Sequence, residues 1–239
     1  MSDLLDFAVA AHGGLDRWNA FSRLTAHLRI GGVIWALKRQ EGLLANVGVE
    51  IDTKAERLEI SPFGSADRRS VFVPEHLKIE TDDGRIIDER RDPESAFAGH
   101  VRETPWDQLH AAYFASEALW TYLTLPFLYT YPGFVTEEIA PWQEDGETWR
   151  RLRVTFPDHI KSHTRTQITH FGPDGLMRRH DYTVDVLGGA QGANYTTGYR
   201  DFQGIKMPTR RRIYAYDAEM RKVPEPLLVS IDFDDISFS

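Results

Sequence analysis

The chain has 239 residues, 41% hydrophobic and 12% aromatic, enough apolar material for one sizeable core and too much for a chain that is mostly disordered. Its 28 basic and 36 acidic residues leave a formal charge of -8, which disfavours nucleic acid and anionic membrane surfaces as partners. Cysteine is absent, so disulfides, thiolate zinc sites and cysteine nucleophiles are excluded, and a reducing compartment fits.

The amino terminus, M-S-D-L-L-D-F-A-V-A-A-H-G-G, carries acids where a secretory leader would carry bases. A cytoplasmic address is expected, or a periplasmic one if a leader has been trimmed. Ser2 is placed to cap a first helix that runs to about His12 and ends at Gly13-Gly14, and Leu15 to Phe21 forms a second turn presenting Trp18. Leu24, Ala26, Leu28 and Ile30 then alternate with Thr25, His27 and Arg29, the pattern of a half-buried strand. Gly31-Gly32 allows a bend or bulge before the apolar run Val33 to Leu37. Further strands are predicted at about 43–52, 56–61, 69–73, 76–81 and 85–90, separated by turn residues such as Asp52-Thr53-Lys54 and Asp82-Asp83-Gly84. Asp92-Pro93-Glu94 opens a short helix that Gly99 can stop.

Residues 104–134 form the one long apolar helix candidate, and the rest of the chain is organised around it. Thr104 is expected as its cap, with Pro105 at the first helical position and Asp107 as the capping-box acid. Leu109, Tyr113, Trp120, Leu123 and Phe127 follow a three-to-four spacing, while Phe114, Ala118 and Tyr122 fall on another side. A helix apolar nearly all round must be covered on several faces. Glu117, Pro126 and Pro132 argue against a membrane span, and Pro126 ends or kinks the helix. Strands return at about 134–142, 147–156, 164–171, 176–187, 193–203, 207–216 and 227–238, with Asp145-Gly146 and Pro173-Asp174-Gly175 as hairpin turns.

Two stretches carry a resemblance. A-A-H-G-G-L-D-R-W at 10–18, followed by a strand, and G-Y-R-D-F-Q-G-I-K-M-P-T-R at 198–210 resemble the opening and a late hairpin of the outer-membrane lipoprotein-sorting, or LolA-like, superfamily. The resemblance implies a strongly curved, unclosed antiparallel barrel of about eleven strands with helices over its mouth. It also implies a cavity that takes up acyl chains and catalyses nothing.

The aromatic set Trp106, Tyr113, Phe114, Trp120, Tyr122 and Phe127 reads as the lining of a cavity for an apolar ligand, or else as ordinary core packing. His180 and Tyr182, two apart on a strand, share a face and form the alternative acid–base pair, while Asp181 and Asp185 point the other way. His159, His163 and His170 raise a metal reading, but a loop following Pro157 does not bring them together, and no metal site is assigned. His12 suits a capping role at a helix end. Alternation sets Arg211 opposite Arg210 and Arg212; an inward arginine would seek a carboxylate or a ligand head group, and a solvated face is the other reading. No nucleophile elbow, phosphate loop or dinucleotide fingerprint occurs.

The expectation is therefore one LolA-like domain over residues 1–239, mainly β (α+β), with a helical plug. Its predicted task is to bind a hydrophobic small molecule or lipid without catalysis, with no cofactor, no nucleic acid and no integral membrane segment. The alternatives are a small-molecule enzyme using His180 and Tyr182, or a ligand-free partner-binding protein.

Overall fold

The computed structural model describes residues 3–239, so the expected Ser2 cap lies outside the described residues. Two helices open the chain, α1 (Asp3–Ala11) and α2 (Leu15–Asn19), and bury Leu4, Leu5, Ala8, Val9 and Trp18. Between them Gly13 adopts φ +122°, and a Cβ there would lie 2.2 Å from the Gly204 carbonyl oxygen, so only glycine fits. The Lys206 amide donates to the His12 carbonyl at 2.9 Å and Arg17 Nε to the Gln203 carbonyl at 2.6 Å. The two stretches that carried the family resemblance are thus a single contact, the helix pair docked on a hairpin.

Strand β1 (Arg23–Gly31) has the predicted alternating burial. The run beyond it is a short helix, α3 (Val33–Leu37), and not a continuation of the strand. Gly32 turns the chain at φ +109°, and the Val33 and Ile34 amides donate to the carbonyls of Leu227 and Leu228, which fixes the helix over the sheet end. A meander follows: β2 (Val47–Asp52), β3 (Leu58–Ser61), β4 (Arg68–Val73), β5 (His76–Thr81) and β6 (Ile86–Arg91). A 3-10 turn at Pro93–Phe97 leads to α4 (Gln108–Thr124), and a second at Phe127–Thr130 leads out of it. The remaining strands are β7 (Val135–Glu144), β8 (Glu147–Thr155), β9 (Thr166–Phe171), β10 (Met177–Val184), β11 (Ala190–Phe202), β12 (Ile205–Tyr216), β13 (Lys222–Val223) and β14 (Val229–Phe238).

All pairings among them are antiparallel, in a 14-stranded sheet ordered β6-β5-β4-β3-β2-β1-β14-β12-β11-β10-β9-β8-β7, with the two-residue β13 added to β12. The sheet has more strands than the eleven or so expected. Leu24 opposite Phe238 joins the first strand to the last, so the two meet in mid-sheet. The free edges are β6 and β7, and the segment between them in the chain is the one that contains α4. The plug thus runs from one edge of the unclosed barrel to the other.

Helix α4 begins later than expected. Asp107, not Thr104, is its cap, and its Oδ1 accepts the His110 amide at 2.8 Å. Trp106 is held outside the helix by its amide's bond to the Lys38 carbonyl at 3.0 Å and by Gln40 Nε2 on its own carbonyl at 2.5 Å. Every residue from Leu109 to Thr124 is buried. No helix among the described residues is long and apolar enough to cross a membrane.

Candidate functional site

The carboxyl end of α4 sets up the site. The Thr121 carbonyl accepts from Leu125, but the Tyr122 carbonyl would need the amide of residue 126, and Pro126 has none. Arg211 of β12 fills that place, its Nη2 donating to the Tyr122 carbonyl at 2.7 Å, where the negative helix end also favours a cation. The alternation in Arg210-Arg211-Arg212 therefore resolves with Arg211 inward at 1% exposure, Arg210 exposed, and Arg212 bridging to Asp232 at 2.8 Å.

One apolar cavity of about 70 Å³ lies between α4, α3 and the sheet. Phe114, Ala118 and Tyr122 form its helix wall, Ile34 and Trp35 of α3 its cover, and Tyr182, Ile213 and Ile231 part of its sheet side. Of the six aromatic residues expected to line a cavity, Phe114 and Tyr122 sit on this wall. The other four lie elsewhere in the core: Trp106 packs on Phe114 and the Lys38 ammonium, Tyr113 on Phe72 and Phe97, and Phe127 stacks on Trp18 at 4.5 Å between centroids. Trp120 turns the opposite way, its indole N–H donating to the Asp52 carbonyl at 2.9 Å.

His163 also reaches the cavity wall. Its Nδ1 lies 2.7 Å from Glu117 Oε1, with both side chains buried, and its ring stands 5.0 Å from that of Tyr182. Sequence reasoning read Glu117 only as an obstacle to a membrane span and His163 only as one of three scattered histidines. A lone acid on a helix apolar all round was the signal that it needed a buried partner. His159 and His170 lie apart from this pair: His159 borders Gly133 in a loop, and His170 sits between Trp142 and Trp149 on the opposite face of the sheet.

Beneath the cavity the character changes. The Tyr122 and Tyr182 hydroxyls are hydrogen-bonded to each other, and burial pushes the first up to about 12 and the second well above the ordinary tyrosine value. His180 packs edge-on against both rings, at 5.2 Å from Tyr182 and 6.2 Å from Tyr122. Burial, reinforced by Arg211, holds His180 far below the ordinary histidine pKa, so it is neutral, and neither ring nitrogen has a hydrogen-bond partner. The strand register places Asn194 opposite His180 and Thr196 opposite Arg211, so these inward positions form one patch. His180 and Tyr182 do share a face, as alternation predicts.

No protein-family model matches the chain, and no curated protein matches its sequence. Solved structures do match the fold. A DUF1329 family protein from Desulfovibrio piger superposes with a TM-score of 0.54 at 14% identity, covering 99% of this chain and 92% of that one. A LolA superfamily protein from Nitrosomonas europaea gives 0.53 at 9% identity, over 99% and 92% of the two chains. The chain shares the fold of these proteins. A putative outer membrane lipoprotein-sorting protein domain from Vibrio parahaemolyticus agrees, at a TM-score of 0.57 and 9% identity over 99% and 91%. In this unclosed barrel the helical plug leaves a small apolar space on a polar floor.

Proposed function

We propose that the protein binds a hydrophobic or amphiphilic molecule, without catalysis, in the cavity between α4 and the sheet. The observation that carries this reading is the lining, apolar on the helix, lid and sheet sides alike. Each buried methylene of a ligand would contribute about 0.8 kcal/mol. At about 70 Å³ the space is smaller than the roughly 300–1,000 Å³ of typical ligand pockets. A chain of any length would therefore need α3 to swing outward on Gly32, and the exposed Val33 and Leu37 of α3 mark it as a thin cover. The absence of a nucleic-acid or integral-membrane partner belongs to the same reading.

Filling the space tests it. Ala118→Leu adds bulk to the cavity wall, and its overpacking cost is about 1–3 kcal/mol. The variant should stay folded by circular dichroism yet bind the uncharged dye phenylnaphthylamine at least about tenfold more weakly. Unchanged dye affinity would place binding elsewhere. No dye binding by the unaltered protein would favour the ligand-free, partner-binding alternative.

A further inference from the structure

Arg211 is fully buried and forms no ion pair among the described residues; the acidic groups around it are the tyrosines Tyr199, Tyr122, Tyr182 and Tyr129, whose buried hydroxyls stay protonated and uncharged at neutral pH. A buried guanidinium without a counter-charge is costly. Its bond to the Tyr122 carbonyl accounts for one donor, and a neutral donor would serve there as well. Nε and Nη1 have no partner. Neither ring nitrogen of His180 has one, and the Asn194 amide, which lies close to the Tyr122 hydroxyl, makes no well-formed hydrogen bond with either of its atoms. All three side chains are at most 1% exposed, on neighbouring strands β10, β11 and β12. The patch therefore offers one positive charge and N–H donors from arginine, asparagine and neutral histidine. That set matches one monoanion. A cation would meet Arg211 directly, and a dianion would bring charge that no second cation in the patch answers.

The patch and the apolar cavity share a partition. Tyr122 and Tyr182 line the cavity, yet Tyr122 also lies under the Arg211 guanidinium at 4.8 Å and both tyrosines touch His180. We propose that Arg211, His180 and Asn194 receive the carboxylate of a single-chain amphiphile whose tail occupies the apolar cavity, with the head group innermost. This rests on the cavity reading above and names the ligand class it left open.

The test displaces phenylnaphthylamine from the full chain with dodecanoate, dodecanol and dodecyltrimethylammonium, which share a tail and differ in head-group charge, and with acetate, which has the charge without the tail. Dodecanoate should displace the dye at a concentration at least about tenfold below dodecanol, the cationic homologue should be weakest, and acetate should have no effect. Arg211→Met and Asn194→Leu should each bring dodecanoate towards the alcohol. Equal displacement by dodecanoate and dodecanol from the unaltered protein would overturn the head-group site while leaving the cavity in place. Acetate acting as strongly as dodecanoate would overturn the amphiphile and leave a bare anion site. Failure of the dye to bind at all would remove the cavity reading itself. The unaltered protein decides each case, so the inference stays falsifiable even if a variant does not fold.

Discussion

Two arginines on the strands that flank β11 are equally hidden and differently served. Arg179 of β10 faces the outer side of the sheet with its side chain fully buried. It binds Asp181 at 2.6 Å, Glu144 at 3.1 Å, the Tyr195 hydroxyl at 3.1 Å and the Met220 carbonyl at 2.7 Å. Trp142, Tyr195 and Tyr216 stack around its guanidinium, and Arg221 continues the stack on Trp142. Arg211, facing the concave side, has a single carbonyl and two unpartnered donor atoms. A buried charge with all its partners is part of the scaffold. One whose partners fall short retains capacity for something that arrives later.

The largest effect should come from breaking the satisfied member. Arg179→Met leaves the buried Asp181 and the half-buried Glu144 without their cation, and loss of one partner of a buried network costs about 3–5 kcal/mol. For a domain of this size that lowers Tm by roughly 6–20 °C. A melt within about 2 °C of the unaltered protein would remove the contrast between the two arginines.

The fold was readable because local signals agreed. Gly-bearing turns and period-two alternation placed nearly every strand, and the apolar residues between Leu109 and Phe127 marked the plug. Even the split of that helix into faces was present, since the minor stripe Phe114, Ala118 and Tyr122 is the one that meets the cavity. The site was harder. Trp106 and Trp120 are as apolar as Phe114, and only tertiary contacts decide which of them meets free space. The capping role of Arg211 depends on Pro126, 85 residues away in the chain and adjacent only once the plug is seated. Glu117 finds His163 across a gap of 46 residues that no local pattern records. The Val33 to Leu37 helix escaped because a five-residue apolar run has no periodicity to read.

A change of pH separates the buried histidines from a buried carboxylate. On the concave side burial lowers His12 to about 4 and His180 well below its ordinary value. A depressed histidine contributes stability that is present above about pH 6.5 and lost as pH falls through its folded value, on the order of 3 kcal/mol for His12. On the outer side burial lowers His170 likewise, but it raises Asp181 to about 6 against the pull of Arg179. A raised carboxylate contributes stability present below about pH 3.8 and lost as pH rises through about 6, so Asp181 opposes the histidines on acidification. Urea unfolding between about pH 7 and pH 4 should show His180→Phe losing less stability than the unaltered protein. Asp181→Asn should lose more, whatever its starting stability. The same slope for both variants would mean that these groups titrate alike in the folded and unfolded chains.

The smallest change in stability is expected where the partners are fewest. Arg211→Met removes the donor on the Tyr122 carbonyl, a loss of about 1.5–3 kcal/mol for a bond from a charged group. It also removes an unpaired buried cation, and replacing buried charge with apolar volume returns about 1–4 kcal/mol. The two nearly cancel, so urea unfolding should give a net change within about 2 kcal/mol, in either direction and well short of that for Arg179→Met. A loss as large as that of Arg179→Met would mean that Arg211 earns its place by holding the end of α4, and that its free donors are incidental. A small change, together with loss of the preference for dodecanoate over dodecanol, would mean that the fold tolerates a buried cation because a ligand completes it.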